Sequence, residues 1–189
     1  DFRGEFYQHT LMTPMFTPRD GKYGAPPVYA AAVGPLMTEN AAEVADGIML
    51  HAFTTEEYIR TVTLPAIEAG LAKGGRTRAD LQLVGAPFFI TGKTEEEYEK
   101  VKLAAQNQIA FYGSTPAYRG VLESVGYDQL QPELNRLSKA GQWVEMGQLI
   151  DDTLLDKIGL VGTHDEIATK LKQRYGDIFD VLPASVFSG

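Results

Sequence analysis

The chain has no cysteine in its 189 residues, which excludes disulfides, thiolate nucleophiles and sulfur-ligated metals. Imidazole is nearly as scarce, supplied only by His9, His51 and His164. One tryptophan is present, Trp143, expected as an anchor between helices rather than a site residue. No apolar run reaches membrane-span length, and Asp1-Phe2-Arg3-Gly4-Glu5 is not the basic-then-apolar start of a secretion signal. Positive charge is the minority sign, 17 Lys and Arg against 25 Asp and Glu. The net charge of −8 repels nucleic acid and anionic membranes at long range, so neither is an expected partner, and a reducing cytoplasm is the expected location. The chain also lacks a G-x-x-x-x-G-K-[ST] phosphate loop, a G-x-S-x-G elbow, H-E-x-x-H and G-x-G-x-x-G, so the common hydrolase and kinase readings fall away. No metal is expected: Glu95-Glu96-Glu97 fall in a helix's first turn, where carboxylates favour the dipole, and Asp151-Asp152 lack calcium-loop spacing.

What is present is core-forming material, 44% hydrophobic and 22% charged, in an alternating strand and helix pattern. Val28 to Val33 is an apolar strand; Gly34-Pro35 then suits a helix start, because the missing proline N–H would be unpaired there anyway. Asp46-Gly47 ends that helix before a second strand, Ile48 to Leu50. Fully apolar strands of this kind are expected to be buried on both faces of a parallel sheet. Thr54 and Glu57 have capping-box spacing for a helix to about Ala72, kinked or divided at Pro65. Leu81 to Thr91 reads as a third strand with a bulge or edge at Pro87. Thr94 and Glu97 open a long helix to about Tyr112, with Tyr98, Val101, Ala105, Ile109 and Tyr112 on its core face. Residues 113–157 are a helical insertion. Thr163 and Glu166 then cap a last helix, and Ile178 to Leu182 reads as the fourth strand.

Four parallel strands with crossover helices suit either a small open sheet or half of a closed barrel. A complete (β/α)8 barrel needs about 250 residues. The chain is read as one unit, 1–189, with an extended lid-type loop over 1–25. It opens on Asp1 rather than methionine, and sequence upstream is expected.

The stretch PPVYAAAVGPLMTENAAEVADGIMLHAFTT, Pro26 to Thr55, resembles the luciferase-like monooxygenase superfamily, in particular its deazaflavin (coenzyme F420)-dependent oxidoreductase branch. The segments QIAFYGSTPAYRGVL and VGTHDEIATKL are similar to the helical insertion and last helix of that group, and GEFYQHTLMTPMFTP to the loop before its fifth strand. Asn40 and His164 depart from the pattern, where a small or apolar residue and a proline are usual. The resemblance implies an α/β fold, the C-terminal half of a (β/α)8 TIM barrel. It also implies an oxidoreductase that uses coenzyme F420, or alternatively FMN, for hydride transfer or oxygen activation on a small organic substrate. The first four strands, with much of the ring-binding wall and the usual acid and base candidates, would lie upstream. The chain alone is then expected to bind cofactor weakly or not at all, and to form a homo-oligomer or associate with the missing barrel half. The alternatives are a cofactor-free barrel homologue and a small α/β binding domain.

The active face of such barrels lies at the carboxyl ends of the strands, where a helix N-terminus offers free N–H groups to an anion. Ala32, Val33, Gly34 and Pro35 are therefore the candidate cofactor-binding turn. His51, after the second strand, joins them as a group that could hydrogen-bond cofactor or substrate or pass a proton. Tyr112, Ser114 and Thr115 are candidate substrate contacts, with helix-end packing and capping as the plainer explanation. His9 and His164 are expected at the surface. The sequence identifies no catalytic acid or base.

Overall fold

The structure, a computed structural model, describes residues 1–17 and 21–182. Residues 18–20 of the expected lid loop and 183–189 lie outside it. The chain begins with two short antiparallel strands, β1 (Phe2–Arg3) and β2 (Gln8–His9), with Phe2 opposite His9. Phe6, Leu11, Met15 and Phe16 stay exposed in this segment.

A parallel sheet organises the next part: β3 (Tyr29–Ala32), β4 (Gly47–Leu50) and β5 (Gln82–Val84) lie in that order, Tyr29 opposite Gly47 and Gly47 opposite Gln82. Helix α1 (Pro35–Val44) crosses from β3 to β4. A longer helical run crosses from β4 to β5: α2 (Glu56–Tyr58), a π-helical turn (Ile59–Thr63) and α3 (Leu64–Lys73). Its side-chain cap is Thr55, which accepts from the Tyr58 N–H, one residue later than the expected Thr54. Pro65 has no N–H to continue the regular ladder, and the Leu64 N–H reaches back five residues to the Ile59 carbonyl.

Side chains alternate across a strand, and here the alternation separates two unlike faces. Ala32, Ile48, Leu50 and Leu83 pack with Ala42, Ile67 and Leu71 of α1 and α3 in one buried cluster. Ala31, Met49 and Gln82, on the opposite face, are exposed, Met49 by 50%. Burial on both faces, expected from the apolar runs, therefore holds for one face only. The two covering helices cross closely because Gly70 has no side chain: a Cβ there would run into the backbone carbonyl oxygen of Glu39 and lie 2.8 Å from the Ala42 Cβ.

The expected third strand, Leu81 to Thr91, is two strands. β5 ends at Val84, and β6 (Phe88–Ile90) resumes after Gly85-Ala86-Pro87 and pairs in parallel with β7 (Gly159–Val161). Pro87 has no N–H to donate to a ladder, which suits a break rather than a bulge. The expected fourth strand, Ile178 to Leu182, reduces among the described residues to one parallel bridge between Val84 and Val181, because Ile178 and Phe179 still donate to the Tyr175 carbonyl in a turn. Asp180 fixes that bridge: its Oδ2 accepts from the Leu83 N–H at 2.7 Å and from Arg78 at 2.7 Å.

Helix α9 (His164–Tyr175), after β7, packs Ile167 and Tyr175 into the buried cluster of the first sheet. The remaining elements form a helical layer: α4 (Glu95–Gly113), a 3₁₀ turn (Pro116–Tyr118), α5 (Arg119–Glu123), α6 (Leu130–Lys139), α7 (Trp143–Gln148) and α8 (Asp152–Ile158). Its own buried cluster joins Ala105, Ile109, Leu122, Leu134, Met146 and Leu154, with Tyr98, Val101 and Tyr112 against it, so the α4 face read from the sequence is the packed one. Trp143, expected as an anchor between helices, meets Phe111 of α4 from α7 while staying half-exposed. It is 53% exposed at the start of α7, its ring 6.5 Å from that of Phe111.

Candidate functional site

Gly34 caps α1 with φ 77° and ψ 160°, backbone that a residue with a Cβ rarely adopts. The other long crossover helices begin differently. Thr94 caps α4 and Thr163 caps α9 through side-chain oxygens, and carboxylates occupy both first turns. Helix α1 has neither a side-chain cap nor an acid in its first turn. Its first N–H groups, at Leu36 and Met37, have no hydrogen-bond partner among the described residues, and a Cβ built on Gly34 would meet nothing within 4 Å. The first intrahelical bond comes from the Thr38 N–H, and the buried Thr38 hydroxyl donates to the same Gly34 carbonyl at 2.8 Å.

This end of α1 opens onto a shallow cleft, continuous with solvent, at the carboxyl ends of β3 and β4. Ala32, Val33 and Gly34 form one wall, Leu50 and His51 another, and Tyr58 and Tyr118 close it from α2 and the 3₁₀ turn. Four of the five residues expected at a cofactor thus come together; Pro35 sits just outside the wall, as the first residue of α1.

The imidazole of His51 is fixed from several sides. Its Nδ1 accepts the backbone N–H of Phe53 at 3.1 Å, so the neutral ring carries its proton on Nε2. The Tyr112 ring meets it edge-on, centroids 4.6 Å apart, and the Tyr118 ring lies 4.9 Å away. Burial lowers the His51 pKa from its ordinary value and likewise raises those of the Tyr58 and Tyr118 hydroxyls. The unfolded chain therefore takes up the His51 proton first as pH falls below about 6.5. Stability on this account is complete above that pH and is lost as pH drops toward the lowered folded value. Thermal denaturation at pH 5 and pH 7.5 is expected to show a smaller difference for His51→Gln than for the unchanged chain.

The three expected substrate contacts separate. Tyr112 reaches the edge of the site through His51, and its hydroxyl accepts from Gln108 at 2.8 Å. Ser114 is buried beneath α6: its hydroxyl donates to the Phe111 carbonyl, while its own carbonyl accepts from Gln131 and Asn135. Thr115 is exposed ahead of the 3₁₀ turn and does not line the cleft. Sequence reasoning missed Tyr118 and Tyr58. Each comes within three residues of a helix-start signal, Pro116 in one case and Thr55 in the other, and an aromatic just inside a helix that leaves the strand ends was the available clue. His9 and His164 are exposed, as expected. No group of three or more His, Asp or Glu among the described residues is arranged to hold a metal ion.

Parallel strands, crossover helices and a cleft at the strand carboxyl ends define an α/β protein of the kind that binds its ligand at that edge. More narrowly, residues 1–180 match the luciferase-like monooxygenase family, and the chain belongs to it. An uncharacterised protein of Mycobacterium tuberculosis is 48% identical over 183 residues, 96% of this chain and 54% of its own length. The 5,10-methylenetetrahydromethanopterin reductase of Archaeoglobus fulgidus is 28% identical over 159 residues, 80% of this chain and 46% of its own. The solved structure of the coenzyme F420-dependent tetrahydromethanopterin reductase of Methanopyrus kandleri superposes with a TM-score of 0.66 at 22% identity, over 82% of this chain and 44% of that one. The chain thus spans about half the length of the curated relatives it matches.

Proposed function

We propose that this chain is the C-terminal half of a (β/α)8 barrel and carries part of the cofactor and substrate site of a coenzyme F420-dependent oxidoreductase. The observation that carries the reading is the bare start of α1: Gly34, in glycine-only backbone, lines the cleft, and the Leu36 and Met37 N–H groups that follow it have no hydrogen-bond partner among the described residues. A helix N-terminus without its own carboxylate suits an external anion, and the phosphate-bearing tail of F420 is such an anion. The residues present therefore fit the group. Ala32, Val33, Gly34 and Pro35 would hold the tail, and His51 would face the part of the cleft nearer the ring. When bound, F420 supplies a two-electron hydride carrier; FMN is the alternative occupant. The chain's own contribution is to bind the anion, to orient what enters between Tyr58 and Tyr118, and to keep His51 in one tautomer.

The uncovered sheet face supports the barrel reading. Ala31, Met49 and Val181 are exposed there, and in a closed barrel that face would pack against the other strands. The proposed cover is the N-terminal half of the barrel, with self-association of this chain when that half is missing.

The test is a fluorescence titration of F420 and of FMN against the 189-residue chain, alone and co-expressed with the N-terminal half of its 48%-identical relative. Saturable F420 binding that is tighter in the co-expressed complex is the expected result. A stable complex that binds neither cofactor would overturn the reading and leave a cofactor-free homologue.

A further inference from the structure

The cleft wall includes no Asp, Glu, Lys or Arg, and its polar side chains are Thr38, His51, Thr54, Tyr58, Thr63 and Tyr118. The Thr38 hydroxyl already donates within the fold, to Gly34. His51 is different: Nδ1 is occupied by the Phe53 N–H, and Nε2 has no hydrogen-bond partner among the described residues. The rings of Tyr112 and Tyr118 confine the imidazole from α4 and the 3₁₀ turn. On its other side a smaller cavity brings Pro87, Ile158, Tyr175 and Phe179 near it, and these too carry no carboxylate or ammonium.

We infer that His51 is a substrate-binding residue whose Nε2–H donates to the oxygen of an uncharged carbonyl or alcohol substrate. The inference rests on the cleft being the cofactor and substrate site. A carboxylate or phosphate lodged beside His51 would find no cationic side chain on this wall and would lose its hydration without a counter-ion. A protonated imidazole could have served as one, but burial disfavours that form. A fixed neutral N–H is matched instead by a neutral oxygen acceptor, which needs one donor and no compensating charge. The anion-binding end of α1 stays reserved for the cofactor tail, so the two ends of the cleft sort ligands by charge.

Nitrogen-15 spectra of histidine-labelled chain report this directly, with cyclohexanone and benzoate as probes, in the presence and absence of F420. Between pH 6 and 8 the His51 proton is expected on Nε2, and cyclohexanone is expected to shift that signal saturably while benzoate leaves it in place. His51→Phe should weaken cyclohexanone binding about tenfold, the loss of one hydrogen bond; His51→Gln, which keeps an N–H donor, should restore most of it. The inference is overturned by a proton on Nδ1, by no saturable shift with cyclohexanone, by benzoate binding as tightly, or by unchanged ketone affinity in His51→Phe. The unsubstituted chain without F420 decides the first three, so failure of the cofactor reading is separately visible.

Discussion

Replacing Gly70 with alanine is expected to lower the unfolding free energy by about 3 kcal/mol, the upper range for forcing extra volume into a packed interior. Glycine to alanine inside a helix ordinarily stabilises by about 1 kcal/mol, so propensity predicts the opposite sign. Packing reverses it. The new methyl would meet the Glu39 carbonyl and approach its carbon to 2.9 Å, and backbone has no rotamer with which to yield. Helix α1 would have to withdraw from α3, opening the cluster that holds Ala42, Ile67 and Leu71 over the sheet. Urea denaturation followed by circular dichroism checks this, with exposed Glu68→Ala as a control expected within about 0.5 kcal/mol of the parent. Equal midpoints for Gly70→Ala and the parent would mean that the helices do not cross as closely as described.

Gly34→Val acts at the other end of α1 and should be read as binding rather than stability. Valine cannot take φ 77° and ψ 160° without strain of about 1–3 kcal/mol. The turn would relax by reorienting the Leu36 and Met37 N–H groups that follow it. Two hydrogen bonds to an anion, each worth about 1.5–3 kcal/mol, would be compromised, so F420 affinity should fall about a hundredfold or more. The affinity of an uncharged ketone at His51 should change much less. A parallel loss of both would show that the variant deforms the whole cleft.

The sequence made the first half of the sheet legible because its signals are local. Val28 to Val33, Gly34-Pro35 and Asp46-Gly47 each bias the backbone within a few residues, and β3, α1 and β4 appear where they point. The third strand was misjudged for a different reason: nothing local states that Gln82 to Val84 pairs with β4 while Phe88 to Ile90 pairs with β7. Strand β7 is three residues between two helices, too short for any periodicity to register. At the site, the turn at Gly34 and His51 could be placed because strand ends are predictable. Ser114 could not be assigned correctly, because its burial depends on Gln131 and Asn135, side chains 17 and 21 residues onward. Tyr118 enters the cleft through the path of the helical layer, which no short motif encodes.

The interior is divided between a sheet-side cluster and a helical-layer cluster, and the sole tryptophan, half-exposed on α7 of the helical layer, lies beside Phe111 of α4 outside both clusters. Emission from Trp143 will therefore follow the melting of the helical layer and be largely silent to the loosening of β3, β4 and α1 around the cleft. Unfolding curves recorded by fluorescence and by far-ultraviolet dichroism coincide only if the two clusters melt as one cooperative unit. For this chain, comparing the two optical probes measures how firmly the sheet that forms one wall of the cleft is coupled to the layer that emits light.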